Sequence, residues 1–177
     1  MKTLKNFYSV VIPVFNSHSS LRELFHGISE TFRKESTLFE VIFVDDFSQD
    51  GSWEVLMSLQ RENPGLVRAI RLARNFGQHN ATLCGLTFAR GDRIITIDDD
   101  LQTPPAEINK LIVCREEHDH DLVYGISRRK HHSMARNLGS RSLKVSARTF
   151  HQSRGEGSSV RLISRELCDR IILHRQN

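Results

Sequence analysis

Several residue types that would mark large protein classes are scarce here. Among 177 residues there are three cysteines, four prolines, one tryptophan and two tyrosines. Cys84, Cys114 and Cys168 are odd in number, widely spaced and never in a C-x-x-C pair. That excludes a disulfide framework and reads as reduced thiols, small hydrophobes in a reducing compartment. No apolar run approaches the length of a membrane helix, and the N-terminus lacks the apolar segment of a signal peptide, so the chain as given reads as soluble and cytoplasmic. No nucleic-acid-binding motif is recognisable, and no nucleic acid is expected as a partner. A G-x-G-x-x-G turn after the first strand, which a nicotinamide-binding domain needs, is missing as well.

What is present fits one globular domain, with 38% hydrophobic residues and enough length to bury most of them. The formal charge of +4 comes from 25 Lys and Arg against 21 Asp and Glu. The basic excess lies after residue 127, and from Arg128 to Arg148 there is no acidic residue at all. Such a segment attracts phosphate-rich ligands or an anionic membrane face.

Short β-branched runs alternate with helical patterns. Strands are predicted at Tyr8 to Val14, Phe39 to Val44, Val67 to Leu72, Arg93 to Ile97 and Asp121 to Tyr124. Helices are predicted at Ser19 to Arg33, Ser52 to Arg61, Asn80 to Ala89, Ala106 to Glu117 and Arg165 to Leu173. The near-continuous apolar run Val41-Ile42-Phe43-Val44 suits a parallel strand covered on both faces. The expected fold is therefore α/β, an open, mostly parallel, Rossmann-like sheet with helices on both faces. In such sheets ligands bind beyond the carboxyl ends of the strands. Four unusual segments sit there: Pro13 to Asn16, Asp45-Asp46, Arg74 to Gly77 and Asp98 to Gln102.

The acidic run Asp98-Asp99-Asp100 is the most informative. On an extended segment Asp98 and Asp100 share a face, Gln102 continues the row and Asp99 points away. Hard oxygen ligands of this kind suit Mg²⁺ or Mn²⁺ together with a substrate diphosphate. The alternative is an acidic turn that caps a helix starting near Pro105. Three adjacent like charges repel one another and a cap needs one, so the cation reading is preferred. Asp45 or Asp46 could accept a hydrogen bond from a base N–H, while Asp46, Ser48 and Asp50 before Gly51 also suit a turn and helix cap. Arg74 could meet a phosphate, and Gly77 would permit close approach or a positive φ.

Taken in order, Val11-Ile12-Pro13-Val14-Phe15-Asn16, Phe43-Val44-Asp45-Asp46-Phe47-Ser48-Gln49-Asp50-Gly51, Arg74-Asn75-Phe76-Gly77-Gln78 and Asp98-Asp99-Asp100-Leu101-Gln102-Thr103-Pro104-Pro105 resemble family 2 glycosyltransferases of the GT-A fold. The subgroup most similar is that of dolichol-phosphate mannose synthase and the undecaprenyl-phosphate sugar transferases. The resemblance spans about Tyr8 to Leu173. It implies a metal held by Asp98, Asp100 and Gln102, and a UDP- or GDP-sugar donor bound by Pro13, Phe15, Asn16, Asp45, Asp46, Arg74, Gly77, Asp98 and Asp99. Which of Asp45 and Asp46 meets the base stays open. It assigns the acceptor to Arg128, Arg136, Ser140 and Arg161, with Asp98, Asp100, Arg128 and Arg136 as the catalytic set. Arg136 and Ser140, four apart, would share one helix face. The implied reaction inverts the anomeric carbon by in-line displacement, with a polyprenyl phosphate or a glycan hydroxyl as acceptor.

Three departures from the family pattern stand out: Phe47 in place of glycine, Asp99 in place of a small residue, and Val160 in place of phenylalanine. Members of the subgroup usually continue into further helices beyond the point matching Asn177. The whole of 1–177 is thus expected to be one catalytic domain, truncated at its C-terminus, with 127–150 facing the acceptor and the inner membrane surface. A homo-oligomer is compatible with these features, as is a nucleotide-sugar-binding module without turnover.

Overall fold

The computed structural model describes residues 6–125 and 160–174. They form β1 (Phe7–Val14), α1 (Leu21–Lys34), β2 (Leu38–Asp45), α2 (Ser52–Glu62), β3 (Val67–Arg71), α3 (Gln78–Phe88), β4 (Arg93–Ile97), α4 (Glu107–His118), β5 (Leu122–Tyr124), β6 (Val160–Ser164) and α5 (Arg165–His174). The strands make one six-stranded sheet in the order β3-β2-β1-β4-β6-β5. The pairs β1–β2, β2–β3 and β1–β4 are parallel, whereas β6 runs antiparallel to both β4 and β5.

Strand alternation sorts the apolar residues into two layers. On one face Val10, Ile12, Val41, Phe43, Ile95 and Ile97 pack under Leu24, Ile28 and Phe32 of α1, Leu56 of α2 and Ile108 of α4. On the other Val11, Ile42, Val44, Ile94 and Ile163 meet Ala81 and Leu86 of α3 and Cys168 of α5. Helices on both faces and the mostly parallel sheet match the sequence expectation. The seat of α3 is tight: a Cβ on Gly85 would lie 2.3 Å from Val11 Cγ1, so only glycine lets this helix approach the sheet so closely.

The predicted elements are all found, with ends moved by one or two residues. The fifth strand starts at Leu122 and the third stops at Arg71, because the Leu72 N–H already turns back to the Asp45 carbonyl at 2.9 Å. The strand β6 is a correction to the sequence reading, which took this segment only as an acceptor-side motif. Val160, Leu162 and Ile163 are buried and fill the gap between β4 and β5, while Arg161 stays exposed.

Candidate functional site

Strands β1, β2 and β4 all end at the same edge of the sheet, and the loops that follow them are bound to one another mainly through main-chain N–H groups. Asp46, 2% exposed, takes the Phe76 N–H on one carboxylate oxygen (2.7 Å) and the Gly77 N–H on the other (2.8 Å). Asp99 accepts from the Phe15 N–H at 3.0 Å and from the Ser17 hydroxyl. Its own carbonyl accepts from the Ser20 hydroxyl at 2.6 Å. The Asn16 N–H donates to Ser48 Oγ, and Asn16 Oδ1 accepts from the Gln49 N–H, both at 2.9 Å. Asp50 accepts from the N–H groups of His18 and Ser52, each at 3.0 Å, which is the turn role read from the sequence, while the N-cap of α2 is Gly51, without a side-chain cap bond.

Between these loops opens a crevice of about 300 Å³, lined by Pro13, Phe15, Asp46, Gly77 and Asp98 to Asp100 together with Val14, Asn75 and Gln78. Backbone strain concentrates around it. Of five non-glycine residues with left-handed φ among the described residues, three follow crevice strands: Asn16 at 54°, Phe47 at 66° and Leu101 at 58°. The value at Phe47 is a left-handed conformation that favours glycine, the residue the family resemblance leads one to expect there. A bulky residue in this conformation costs roughly 1–2 kcal/mol. The Phe47 ring lies 5.4 Å from the Arg71 guanidinium, which also stacks 5.6 Å from Trp53. Gly77, at φ 88° and ψ 154°, opens α3 in a conformation that suits glycine alone.

Three of the sequence-predicted donor residues do not line the crevice: Asn16, which is tied to Ser48 and Gln49 of the loop after β2, Asp45 and Arg74. The Asp45 carboxylate is fully buried, with Oδ2 3.1 Å from Arg71 Nε and Oδ1 accepting from the Ser48 N–H at 3.0 Å. It has no surface to offer a base, and Asp46 is the member of the pair that reaches the crevice. Arg74 is exposed, packs 4.8 Å from the Phe76 ring and does not line the crevice. The expected Asp-x-Asp-x-Gln row is shortened in the structure, because β4 ends at Ile97 and the left-handed Leu101 turns the chain. Gln102 is exposed and gives its backbone N–H to Asp100 Oδ1 at 3.0 Å. Asp99 is turned into the β1 loop and is not a bystander in solvent. Arg128, Arg136 and Ser140 lie outside the described residues.

Sequence reasoning gave no role to Gln78, whose amide donates to Asp98 Oδ1 at 2.7 Å. Its place in the first turn of α3, directly after Gly77, was the available signal.

The electrostatics of the acidic run follow from this packing. Burial, reinforced by the neighbouring charges of Asp100 and Asp99, pushes the Asp98 carboxyl up to about 6, although Arg161 and the Gln78 amide pull the other way. Burial also raises Asp99, against the hydrogen bonds from Ser17 and Phe15. None of the three carboxylates caps α4, whose first turn has no side-chain cap bond, so the run makes a turn through Asp100 and Gln102 without capping the helix. Among the described residues no three His, Cys, Asp or Glu side chains are arranged to hold a metal alone. The pair Asp98 and Asp100 at the crevice fits a hard cation that takes its remaining oxygen ligands from water or a diphosphate.

Comparison with known proteins agrees with this architecture. An undecaprenyl-phosphate 4-deoxy-4-formamido-L-arabinose transferase of Pseudomonas paraeruginosa is 36% identical over 170 residues, covering 95% of this chain and 50% of the relative. The protein of the same name from Yersinia enterocolitica is 35% identical over 166 residues, covering 93% and 50%. The chain thus spans about half the length of the curated relatives it matches. Among solved structures, a Pyrobaculum calidifontis mannosyltransferase in complex with GDP-Man and Mn²⁺ superposes with a TM-score of 0.68 at 17% identity, covering 96% of this chain and 47% of that one. S. aureus TarS 1-349 in complex with UDP gives 0.55 at 24% identity, covering 66% and 34%. Both share the GT-A-like fold. The family model described as Glycosyl transferase family 2 matches residues 9–170, and with the relatives above it shows that the chain belongs to glycosyltransferase family 2.

Proposed function

We propose that this chain carries the donor half of an inverting, metal-dependent glycosyltransferase that moves a sugar from a nucleotide-sugar to a polyprenyl phosphate. The observation that carries the reading is the pair Asp98 and Asp100 at the mouth of a crevice where carboxylates outnumber cations. Asp98 and Asp100 hold Mg²⁺ or Mn²⁺, with Gln102 able to join only by turning inward. The ion supplies charge neutralisation to the departing nucleoside diphosphate. Pro13 and Phe15 wall the nucleotide, and Asp46 shapes the pocket by fixing the Phe76 and Gly77 N–H groups. The relatives named for undecaprenyl phosphate support the acceptor class, and the mannosyltransferase and TarS complexes support a nucleotide-bearing donor with Mn²⁺.

Arg161 holds the acceptor phosphate from the described part of the chain, and Arg128, Arg136 and Ser140 do so from outside it. A phosphate monoester is already largely ionised near neutral pH, so its attack on the anomeric carbon needs positioning more than a general base. The basic stretch 127–150 draws the protein to the inner face of the cell membrane.

A thermal-shift panel of UDP-, GDP- and dTDP-sugars with and without Mn²⁺ tests the reading. A donor at 100 times its Kd stabilises the fold by about 2.7 kcal/mol. Asp100→Ala is expected to abolish the Mn²⁺-dependent part of that shift and to lower turnover by about 100-fold or more with the fold intact. No metal-dependent shift with any donor, or full activity in the variant, would overturn it.

A further inference from the structure

At the end of the sheet opposite the donor crevice, where β2 and the edge strand β3 begin, lies a separate cleft of about 560 Å³. That volume is in the range of small-molecule sites, roughly 300–1,000 Å³. Three elements bring donor side chains to it: Gln60 and Arg61 from the last turn of α2, Arg68 from β3, and Arg90 from the turn before β4. Strand register sets Arg68 beside Ile42, which shares a sheet face with Glu40 two residues earlier. Pro64 and Leu66 add an apolar rim.

The one carboxylate of this cleft is already spent. Glu40 Oε1 accepts from the Ser9 hydroxyl and the Arg90 N–H, and Oε2 accepts from Nε and Nη2 of Arg90, which leaves nothing for the other cations. Glu62, next to Arg61, is held by Arg22 and Ser58. Among the described residues neither Arg61 nor Arg68 makes an ion pair, and the Arg68 guanidinium lies only 5.8 Å from the Phe88 ring. An arginine in the last turn of a helix is ordinary, since it faces the carbonyl end, and this accounts for Arg61. It does not account for Arg68, which stands on a strand. Gln60 is half-buried and its Oε1 accepts the Ala69 N–H at 2.6 Å, which fixes the amide and leaves its NH₂ without an acceptor among the described residues. Every unspent polar side chain at the cleft is therefore a donor.

We propose that this cleft binds a small molecule through a diphosphate group, without a metal ion. A set of donors with no acceptor to offer suits an acceptor-only anion with several oxygens, and guanidinium forks match phosphate geometry. Three guanidinium groups against one carboxylate leave two positive charges to neutralise such a group. In the donor crevice, by contrast, the carboxylates need a cation before any diphosphate can approach.

Calorimetry on the full chain in EDTA, with pyrophosphate and inorganic phosphate as probes, tests the site. Pyrophosphate is expected to bind more tightly than inorganic phosphate. Gln60→Glu keeps the acceptor for the Ala69 N–H and puts a negative charge in place of the free donor. This variant and Arg68→Gln should each weaken pyrophosphate by about 10-fold, the worth of a hydrogen bond to a charged group, with the melting temperature unchanged. Absence of pyrophosphate binding in EDTA overturns the proposal. So does equal affinity in wild type and both variants, which would put the anion elsewhere, the basic stretch 127–150 included. Phosphatidylglycerol vesicles form a second arm. Vesicles bound by wild type and released by Gln60→Glu, with no pyrophosphate bound, would overturn the soluble ligand in favour of a lipid headgroup.

Discussion

At the N-terminal end of the sheet, Glu40 is 2% exposed and surrounded by donors. Ser9 donates to it at 2.7 Å, the Arg90 backbone N–H at 2.9 Å, and the Arg90 guanidinium through Nε at 2.9 Å and Nη2 at 2.6 Å. Burial alone would raise its pKa, yet the Arg90 and Ser9 contacts outweigh burial and hold Glu40 below the usual carboxylate range. At the C-terminal end, Asp98 is also withdrawn from water but has a glutamine amide and two acidic neighbours, and it is pushed up to about 6. Glu40 at one end is completed by the protein, whereas Asp98 at the other stays short of positive charge even with Arg161 nearby. The difference separates a structural ion pair from the carboxylate to which the proposed function assigns a cation.

The strongest way to break this contrast is at the closed end. Glu40→Gln strips the charge from a network that ties β1, β2 and the start of β4, and leaves the Arg90 fork without its anion. Since the Arg90 side chain is 57% exposed, the loss is expected at about 2 kcal/mol, below the 3–5 for a fully buried pair. Denaturant melts read it, and Mn²⁺-dependent donor affinity of the folded fraction should be unchanged. A loss of donor affinity with unchanged stability would reverse the roles of the two ends.

A smaller effect is expected from Asp99→Asn, which keeps the shape of the brace between the β1 loop and the acidic run but removes its charge-assisted bonds. Donor affinity should fall by about 10-fold, one bond's worth, with little change in melting temperature. Direct metal ligation by Asp99 would show instead as loss of the whole Mn²⁺ dependence, as in Asp100→Ala.

The pH profile sharpens the contrast most gently. Because the folded pKa of Asp98 is raised, the folded protein binds more protons than the unfolded chain between the ordinary carboxylate value and about 6, and stability falls as pH rises through that window. Allowing for solvent screening, the effect is on the order of 1 kcal/mol. Asp98→Asn should flatten that part of the profile, and saturating Mn²⁺ with donor should do the same in the wild type. A wild-type profile identical to that of Asp98→Asn would remove the charge shortage on which the contrast rests.

Much of this was readable in the sequence because the β1 to β4 half of the sheet is built from local signals. The run Val41 to Val44 identifies a strand buried on both faces, and the acidic run directly follows a β-branched one. The strand β6 was not legible, since its partner β4 lies more than sixty residues earlier and five residues of mixed polarity carry little pattern. Asp45 and Asp46 look alike in sequence, and only the position of Arg71 on the neighbouring strand decides that the first is buried and the second lines the crevice. The Ser9–Glu40–Arg90 network left one usable trace, a glutamate inside an otherwise apolar strand, which demands a buried partner.

The carboxylates of Asp46 and Asp99 hold the crevice loops by main-chain N–H groups, and this bears on how fast a ligand can dock. A loop fastened along its backbone has little ordering left to undergo when a nucleotide arrives. Donor association at this face should therefore follow a single bimolecular phase whose observed rate rises linearly with concentration, without the plateau that a slow loop closure imposes.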